Sequence, residues 1–152
     1  MIYLAADHAG YALKEHVKKF LEEKNLGYED IGSHSYDEGD DYPDFIIAAA
    51  EKIATNPENR GIIFGGSGQG EAIAANKVPG IRAVVFYGGS DDIISLSRTH
   101  NDANVLSIGA RFLEKEDAVK AVDLWLRTPF SGEERHERRI AKISAFEKNS
   151  LE

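Results

Sequence analysis

The chain has 152 residues, a formal net charge of −8 at pH 7 and a hydrophobic fraction of 42%. This length suits one soluble domain, and the acidic balance disfavours binding to nucleic acid or to an anionic membrane. The absence of cysteine excludes disulfides, thiolate metal sites and a cysteine nucleophile, and it fits a cytoplasmic location. No apolar run approaches the ~20 residues that a transmembrane helix needs.

The first part of the chain alternates short apolar runs with helical patterns. Residues 2–6 predict a first strand, and apolar residues at a helical spacing predict a helix over 11–24, with Gly27 as its C-cap. Residues 28–31 predict a weak second strand. Pro43 then suits the start of a helix that runs to about Ala54.

The same alternation continues to the end of the chain. Strands are predicted at 61–64, 81–86 and 104–108, and helices at 72–77, 91–98, 117–126 and about 134–148. Strands that alternate with helices predict an α/β fold, a three-layer α/β/α sandwich around a five-stranded parallel Rossmann-like sheet. Residues 1–152 are expected to form one domain.

The common strand order for such a sheet begins 2-1-3, and ligands bind beyond the carboxyl ends of the strands where the order reverses. Strand one ends in Asp7-His8, and strand three ends in a glycine-rich loop. The sequence therefore predicts that these two segments meet. It leaves the positions of strands four and five open.

The glycine-rich loop, Gly65-Gly66-Ser67-Gly68-Gln69-Gly70-Glu71, is the most informative segment. Glycines at a strand-to-helix junction leave backbone N–H groups bare for an oxyanion or a phosphate. The loop is not a Walker A motif, because no Gly-Lys-Ser/Thr follows, and its third glycine comes one place early for G-x-G-x-x-G. A tight turn that merely requires glycine is the alternative.

Glu71 is a candidate general base, because partial burial would raise its pKa towards the working pH. It is equally a first-turn glutamate that complements the helix dipole. Ser67 is a candidate to hydrogen-bond and aim Glu71, or to cap the helix.

Two further segments carry titratable groups. Asp7 and His8 stand at a strand end, where a functional role competes with helix capping by Asp7. His100, in a polar segment before strand five, suits proton donation near neutral pH, or a histidine at a helix C-terminus.

Arginines offer candidate phosphate contacts. Arg135 and Arg139 are four residues apart and share a helix face, with His136 between them; pairing with Glu133, Glu134 and Glu137 is the alternative. Arg111 follows strand five, at the ligand end of the sheet, and is the better single candidate.

Taken together, these segments resemble the type B ribose-5-phosphate isomerases, a group that also includes galactose-6-phosphate and allose-6-phosphate isomerases. The matching pieces span nearly the whole chain in the family's order: residues 6–10, Asp41-Tyr42-Pro43, 65–77, 97–102 and 132–139. The combination is specific, although each piece alone is not.

The resemblance implies a homodimer, with sites at the interface and possibly a dimer of dimers, that interconverts ribose 5-phosphate and ribulose 5-phosphate without metal or cofactor. Many members carry a cysteine at the position of Gly65, and that cysteine is the base that abstracts the proton. This chain is similar to the branch in which a glutamate, here Glu71, takes that role with support from Ser67.

The resemblance also assigns the remaining roles. His100 is expected to donate a proton for ring opening, and the last helix is expected to reach the partner's site. The substrate-binding residues implied are Asp7, His8, Tyr42, Gly66, Ser67, Gly68, Gln69, Gly70, Asn101, Arg111, Arg135, His136 and Arg139. The segment 132–136 has one residue more than the usual Gly-Gly-Arg-His, which can shift Arg135.

Two alternatives remain at this point. One is an isomerase of a six-carbon aldose 6-phosphate such as allose or galactose 6-phosphate, which differs in the pocket length it needs. The other is a non-catalytic sugar-phosphate or nucleotide-binding module of flavodoxin type, which would bind ligand without turnover.

Overall fold

The computed structural model describes residues 1–150, with a sheet of five parallel strands at its centre. The strands are β1 (Ile2–Ala6), β2 (Tyr28–Gly32), β3 (Arg60–Gly65), β4 (Ala83–Phe86) and β5 (Val105–Gly109). Their order is β2-β1-β3-β5-β4. The predicted beginning 2-1-3 is therefore confirmed, and β5 lies between β3 and β4, which the sequence left open.

Helices cover both faces of this sheet, as predicted. They are α1 (His8–Glu23), α2 (Tyr42–Ala54), α3 (Gln69–Ala75), α4 (Asp91–Thr99), α5 (Lys115–Arg127) and α6 (Glu134–Asn149). Helices α1, α4 and α5 pack on one face, and α2 and α3 on the other. The three-layer α/β/α sandwich is confirmed.

The strands are apolar on both sides because each face is covered. In β1, Leu4 and Ala6 pack in the core under α1 and α5, whereas Ala5 packs in the core under α2. All three are fully buried. Trp125 of α5 is the largest fully buried side chain, and it closes the first of these two cores.

Two helices begin three residues earlier than predicted, and in both cases the residue before the helix explains the difference. The Asp7 carboxylate accepts hydrogen bonds from the N–H groups of Ala9 (3.0 Å) and Gly10 (3.2 Å), so α1 starts at His8. Gly68 adopts a φ of 77° as the N-cap of α3, which starts at Gln69. Glycine makes that left-handed conformation accessible.

The predicted C-cap at Gly27 is wrong. Helix α1 ends at Glu23, and Asn25 takes the left-handed conformation with a φ of 55°. Asparagine is one of the few side chains that adopt this conformation readily. The turn is therefore completed two residues before the glycine that the sequence favoured.

Helix α6 is the least integrated element of the described fold. His136 is its only buried residue, while Ile143 and Phe146 are 59% and 76% exposed. Near its end, Glu147 accepts a hydrogen bond from the N–H of Gly80 (2.8 Å). None of the helices within residues 1–150 has the length and apolar character needed to cross a membrane.

Candidate active site

A cleft of about 220 Å³ lies beyond the carboxyl ends of β1 and β3. We call it the carboxyl-edge cleft. Its lining residues are Asp7, His8, Ala9, Tyr42, Gly66, Ser67, Gly70, Glu71 and Arg111. The predicted meeting of Asp7-His8 with the glycine-rich loop is therefore confirmed.

The sheet register explains why these segments meet. Ala6 of β1 pairs with Phe64 of β3, and Gly65 of β3 pairs with Gly109 of β5. The residues that follow each strand therefore emerge at one level. The N–H of Arg111 donates to the carbonyl of Gly66 (3.0 Å), which joins the end of β5 to the loop.

Larger depressions of the described surface lie elsewhere. One of about 470 Å³ lies among Arg60, Arg98 and Phe130, near the amino ends of the strands, and one of about 380 Å³ lies between Ile73 and Val85. Neither contains the glycine loop together with a buried acid. We therefore place the chemistry in the smaller carboxyl-edge cleft, where charged groups and bare amides converge.

Glu71 is the buried acid of the cleft. It is the third residue of α3, and only 4% of it is exposed. Burial raises the pKa of its carboxyl group above the ordinary 4.5, and the negative charge of Asp7 raises it further, while its own backbone N–H works in the opposite direction. A carboxyl group in this setting is closer to the proton affinity that a general base needs.

Close approaches of side chains to glycines shape the cleft. The Glu71 carboxyl group lies against Gly65, so that a Cβ at residue 65 would overlap it. Likewise, a Cβ on Gly70 would lie 2.7 Å from the Tyr42 ring, and a Cβ on Gly66 would lie 3.0 Å from the Arg111 guanidinium. Glycine at these positions makes room for the groups that line the cleft.

The backbone of the loop supplies donors. The N–H groups of Gly66, Ser67 and Gly68 donate to no group within residues 1–150. The Gly68 carbonyl is held by the hydroxyl of Ser107 (2.7 Å), a fully buried residue of β5. Sequence reasoning missed Ser107, because a serine within an apolar strand gives no signal of its own.

Ser67 lines the cleft, but its hydroxyl accepts a hydrogen bond from the N–H of Gln69 (3.3 Å). It makes no hydrogen bond to Glu71 in the described chain, and Gly68 holds the N-cap position. Ser67 thus caps the first N–H of α3 from the residue before the N-cap position, and support of Glu71 by Ser67 stays a prediction. Gln69 lies on a different surface, the groove between α3 and β4.

Asp7 and His8 combine the two roles that the sequence weighed. The Asp7 carboxylate caps α1 and also lines the cleft. The His8 ring nitrogen Nδ1 lies 2.7 Å from Oδ1 of Asp40, and the hydrogen bond that the ring donates to Asp40 is the main cause of a raised His8 pKa. Asp40 was missed because it lies in an acidic loop where a single carboxylate has no distinctive pattern.

The same three residues are the one described group that approaches metal-binding geometry. Asp7, His8 and Asp40 each offer a ligand atom within 4.8 Å of the others. However, Oδ1 of Asp7 already accepts two helix N–H groups, and Oδ1 of Asp40 accepts from the backbone and side chain of His8. These atoms are committed to hydrogen bonds within the chain.

The remaining predicted residues lie at the opposite edge of the sheet. His100 follows α4 and precedes the start of β5, so about 13 Å of strand separates its level from that of Gly109. Its ring stacks on that of His136, with centroids 4.1 Å apart. We call this set the amino-edge group, and its members are His100, Asn101, Arg135, His136 and Arg139.

His136 sits deepest in the amino-edge group. Only 3% of it is exposed, and its Nε2 has no hydrogen-bond partner within residues 1–150. Burial, together with the nearby His100 and Arg135, lowers the pKa of His136. A neutral His136 thus presents the face of an uncharged ring on which the His100 ring stacks.

Only some of the arginines of α6 form ion pairs with acidic side chains in the described chain. Arg135 pairs with Glu133 (3.0 Å), and Arg138 pairs with Glu134 (2.7 Å). Arg139 has no ion pair within the described residues. Arg135 therefore makes one of the ion pairs that the alternative predicted, whereas Arg139 makes none within residues 1–150, and a phosphate contact by either arginine stays a prediction.

Comparison with known proteins finds relatives that match nearly the whole chain. The model of the Ribose/Galactose Isomerase family matches residues 2–143. Ribose-5-phosphate isomerase B of Mycobacterium tuberculosis is 44% identical over 149 residues, which cover 97% of this chain and 90% of that protein. The probable ribose-5-phosphate isomerase B of Mycoplasma pneumoniae is 41% identical, with 97% and 95% covered.

Solved structures of ribose-5-phosphate isomerases B superpose on nearly the whole chain. Ribose-5-phosphate isomerase B of Mycoplasma genitalium with bound ribulose 5-phosphate superposes with a TM-score of 0.92 at 39% identity, covering 97% of this chain and 95% of that one. The Clostridium thermocellum enzyme superposes with a TM-score of 0.91 at 42% identity, with 98% of each chain covered. The chain belongs to the ribose/galactose isomerase family.

Proposed function

We propose that this chain is an aldose–ketose isomerase that interconverts D-ribose 5-phosphate and D-ribulose 5-phosphate. The observation that carries the proposal is the buried carboxyl group of Glu71 beside unpaired loop N–H groups, in a cleft that Arg111 also lines. A proton acceptor, oxyanion donors and a cation are the groups that enediol chemistry on a sugar phosphate requires. Relatives named for this reaction share the whole fold.

The first step opens the furanose ring. An acid protonates the ring oxygen as the bond from that oxygen to C1 breaks, and a water molecule takes the proton of the hydroxyl on C1 as the aldehyde forms. We assign the acid to His100, whose ring is held by stacking on His136. Histidine changes its charge near neutral pH, which suits it to donate and recover one proton in each cycle.

The second step moves a proton between two carbons. The Glu71 carboxylate takes the proton from C2, and the electron pair of that C–H bond forms the C1–C2 double bond of an enediolate. The oxyanion on C1 accepts hydrogen bonds from the loop, each such donor contributing about 3–4 kcal/mol to the transition state. Glu71 then returns the proton to C1, while the hydroxyl proton on O2 passes to the oxyanion on O1, so that C1 carries a hydroxyl group and C2 becomes the carbonyl carbon of the ketose.

The phosphate anchors the substrate so that its binding energy fixes the reacting carbons. Arg111 and His8 are the two side chains of the cleft able to carry positive charge, and Arg111 is close enough to lower the pKa of His8. We assign Arg111, Arg135 and Arg139 to the phosphate, with His136 nearby. Asp7, Tyr42 and Asn101 are assigned to the sugar and enediolate oxygens.

This assignment requires two copies of the chain. Glu71 and His100 lie at opposite edges of one sheet, and parallel strands cannot fold back to join them. We therefore propose a homodimer in which the amino-edge group of one copy completes the carboxyl-edge cleft of the other. The exposed Ile143 and Phe146 of α6 supply apolar surface for such a contact.

One coupled assay tests the central proposal. Ribulose 5-phosphate formation from ribose 5-phosphate is followed with EDTA present, and turnover in this condition is expected. Absence of turnover that is restored by a divalent metal contradicts the metal-free reaction. Binding of ribose 5-phosphate without turnover in either condition supports the alternative of a non-catalytic module, and faster turnover of allose 6-phosphate or galactose 6-phosphate supports a six-carbon substrate.

The cellular setting is part of the same proposal. Interconversion of these two pentose phosphates belongs to the pentose phosphate pathway, whose reactions take place in the cytoplasm. A chain without cysteine fits that compartment. Fractionation of the source cells, with activity followed by the coupled assay, tests the location.

A further inference from the structure

Asp40 holds His8 by two hydrogen bonds to a single carboxylate oxygen. The backbone N–H of His8 lies 3.1 Å from Oδ1 of Asp40, and the ring Nδ1 lies 2.7 Å from the same atom. Asp40 precedes α2 and does not line the carboxyl-edge cleft, whereas His8 does. The carboxylate therefore lies behind the imidazole, and Nε2 is the ring nitrogen left for a ligand.

The second oxygen of Asp40 indicates which form of His8 the fold favours. The Asp40 side chain is only 8% exposed, and its Oδ2 is buried with no hydrogen-bond partner in residues 1–150. A buried carboxylate is costly unless a positive charge compensates it. The group bonded to this carboxylate is the imidazole of His8, so the pair is most stable when that ring is protonated.

The charged and polar neighbours of His8 shift its pKa in both directions. The hydrogen bond to Asp40 raises the pKa of His8 most, and desolvation lowers it. The carboxylate of Asp7 raises that pKa, while Arg111 lowers it. The Tyr36 ring meets the imidazole edge-on with centroids 6.3 Å apart and carries no charge near neutral pH. The sum of these influences is a raised pKa.

We infer that Asp40 is a positioning residue that keeps His8 in its imidazolium form, with Nε2–H directed to the substrate's phosphate alongside Arg111. This inference deepens the proposed function and rests on it. Charged hydrogen-bond donors bind phosphate oxygens more strongly than neutral ones. A neutral His8 could leave an acceptor rather than a donor at Nε2, which would repel a dianion.

The substitution Asp40→Asn tests the role of the negative charge of Asp40, because it removes that charge and nearly preserves the shape of the side chain. The Asn side chain keeps an oxygen that can accept both His8 N–H groups, but it lacks the negative charge that stabilises the imidazolium. Near pH 7.5 we expect KM for ribose 5-phosphate to rise about tenfold, through the loss of one charged hydrogen bond to the phosphate, with kcat unchanged. A merely structural role for Asp40 would lower kcat or the amount of folded protein instead.

The pH dependence has a definite sign. Both proteins carry a protonated His8 well below the ordinary value of 6.5, so their KM values are expected to converge near pH 5.5. As pH rises, the variant loses the proton first, so the ratio of the two KM values grows above pH 6.5 and levels off only once the wild-type His8 has also lost its proton. The substrate's own phosphate ionises near pH 6, but it does so equally for both proteins. Asp44→Asn, which removes an exposed carboxylate nearby, is the matched control and is expected to change nothing.

NMR of the imidazole ¹⁵N resonances keeps this inference separable from the proposed function, because it needs no substrate. The wild-type His8 is expected to titrate above pH 6.5 and the Asp40→Asn variant at a lower pH. A wild-type midpoint at or below 6.5, or identical KM profiles for the two proteins, overturns the inference even if the enzyme is active. Lack of any wild-type turnover overturns the proposed function while the NMR result still stands.

Discussion

The carboxyl group of Glu71 lies directly against the α-carbon of Gly65, in the space that a side chain at residue 65 would fill. A Cβ placed there would overlap the carboxyl carbon and both oxygens of Glu71. Gly65 belongs to β3 and does not have the positive φ that restricts a position to glycine. Glycine is therefore required here for space rather than for backbone conformation.

Gly65→Ala should displace the proposed base. Because the added methyl group and the Glu71 carboxyl cannot share the space, we expect kcat to fall by roughly 10²-fold or more, within the range for loss of a general base. Gly27→Ala is the matched control, since a Cβ there meets no atom within 4 Å. Steady-state kinetics decides, and a Gly65→Ala enzyme with more than about a tenth of wild-type kcat speaks against the proposed location of the base.

Glu71→Gln should nearly abolish isomerisation and leave phosphate binding largely intact. Because burial raises the pKa of Glu71 above 4.5, the wild-type kcat/KM is expected to fall as pH decreases through that raised value. A pH–rate profile locates this acidic limb. More than about a tenth of wild-type turnover in the variant refutes the assignment, given the ~10²–10⁴-fold contribution of a general base.

The stability of the Glu71→Gln variant provides an independent test, because we expect this variant to lose activity but to gain stability at pH 7. A carboxyl group whose pKa is higher in the folded state stabilises the fold while protonated, and this stabilisation is lost as pH rises. At pH 7 the ionised, buried Glu71 therefore costs stability. The variant is expected to unfold at higher urea concentration than the wild type at pH 7. A lower midpoint would indicate that Glu71 has a structural role.

Mixed dimers test whether two copies share each site. Glu71→Gln and His100→Asn are each expected to be inactive alone. If Glu71 of one copy works with His100 of the other, a mixed dimer contains one intact site, and an equal mixture recovers roughly a quarter of wild-type activity after exchange of subunits. Size-exclusion chromatography with light scattering verifies the dimer, and no recovery despite exchange excludes a shared site.

Arg139→Ala should mainly raise KM. Arg139 is exposed on α6 without an ion pair in the described chain, so its guanidinium is available to a ligand. Arg138→Ala on the same helix is the control, because Arg138 already pairs with Glu134 at 2.7 Å. We expect a roughly tenfold rise in KM for Arg139→Ala, about 1.4 kcal/mol, and little change for the control. Equal KM values for both variants count against the phosphate assignment.

Lys14→Met tests how much the buried ammonium group of Lys14 stabilises the fold. Lys14 is fully buried and donates to Asp30 and to the carbonyl of Ser33, each at 2.6 Å. Removing the ammonium leaves Lys18 as the only cation paired with Asp30 in the described chain, so we expect a loss of about 3 kcal/mol in urea unfolding. Lys19→Met, at an exposed position of the same helix, is expected to cost almost nothing.

Acid sensitivity should change in the same variant. Burial favours the neutral form of Asp30, but the hydrogen bonds from Lys14 and Lys18 outweigh it and hold the pKa of Asp30 below 3.8. The ion pair therefore stabilises the fold above pH 3.8 and is lost as pH falls through the lowered pKa. Lys14→Met is expected to flatten this acid-dependent part of the stability curve, and an unchanged slope contradicts the role of Lys14.

Much of this architecture could be predicted because the signals were local. The apolar periods of β1, β3 and α5 fixed element types, and the rule for parallel sheets placed Asp7-His8 beside the glycine loop. The order of β4 and β5 depends on long-range packing, which no local pattern contains. The helix starts at His8 and Gln69 depend on the caps Asp7 and Gly68; the sequence allowed Asp7 as a cap but not the exact position of the first turn, and it contains no signal for the left-handed φ of Gly68.

The site was only partly predictable for a related reason. Residues in the loops after β1, β3 and β5 were found by position, whereas Asp40 and Ser107 act through partners distant in sequence, His8 and Gly68. The separation of Glu71 from His100 follows from the direction of α4, which carries the chain back to the amino edge. The roles of the amino-edge group remain predictions until mixed dimers are measured.

That separation also has a kinetic consequence. If His100 is the ring-opening acid, as we propose, a lone copy would keep its folded sheet and its Glu71, yet no internal motion could bring His100 to it. Under conditions dilute enough for copies to dissociate, the reaction rate would therefore grow with the square of enzyme concentration rather than in proportion to it.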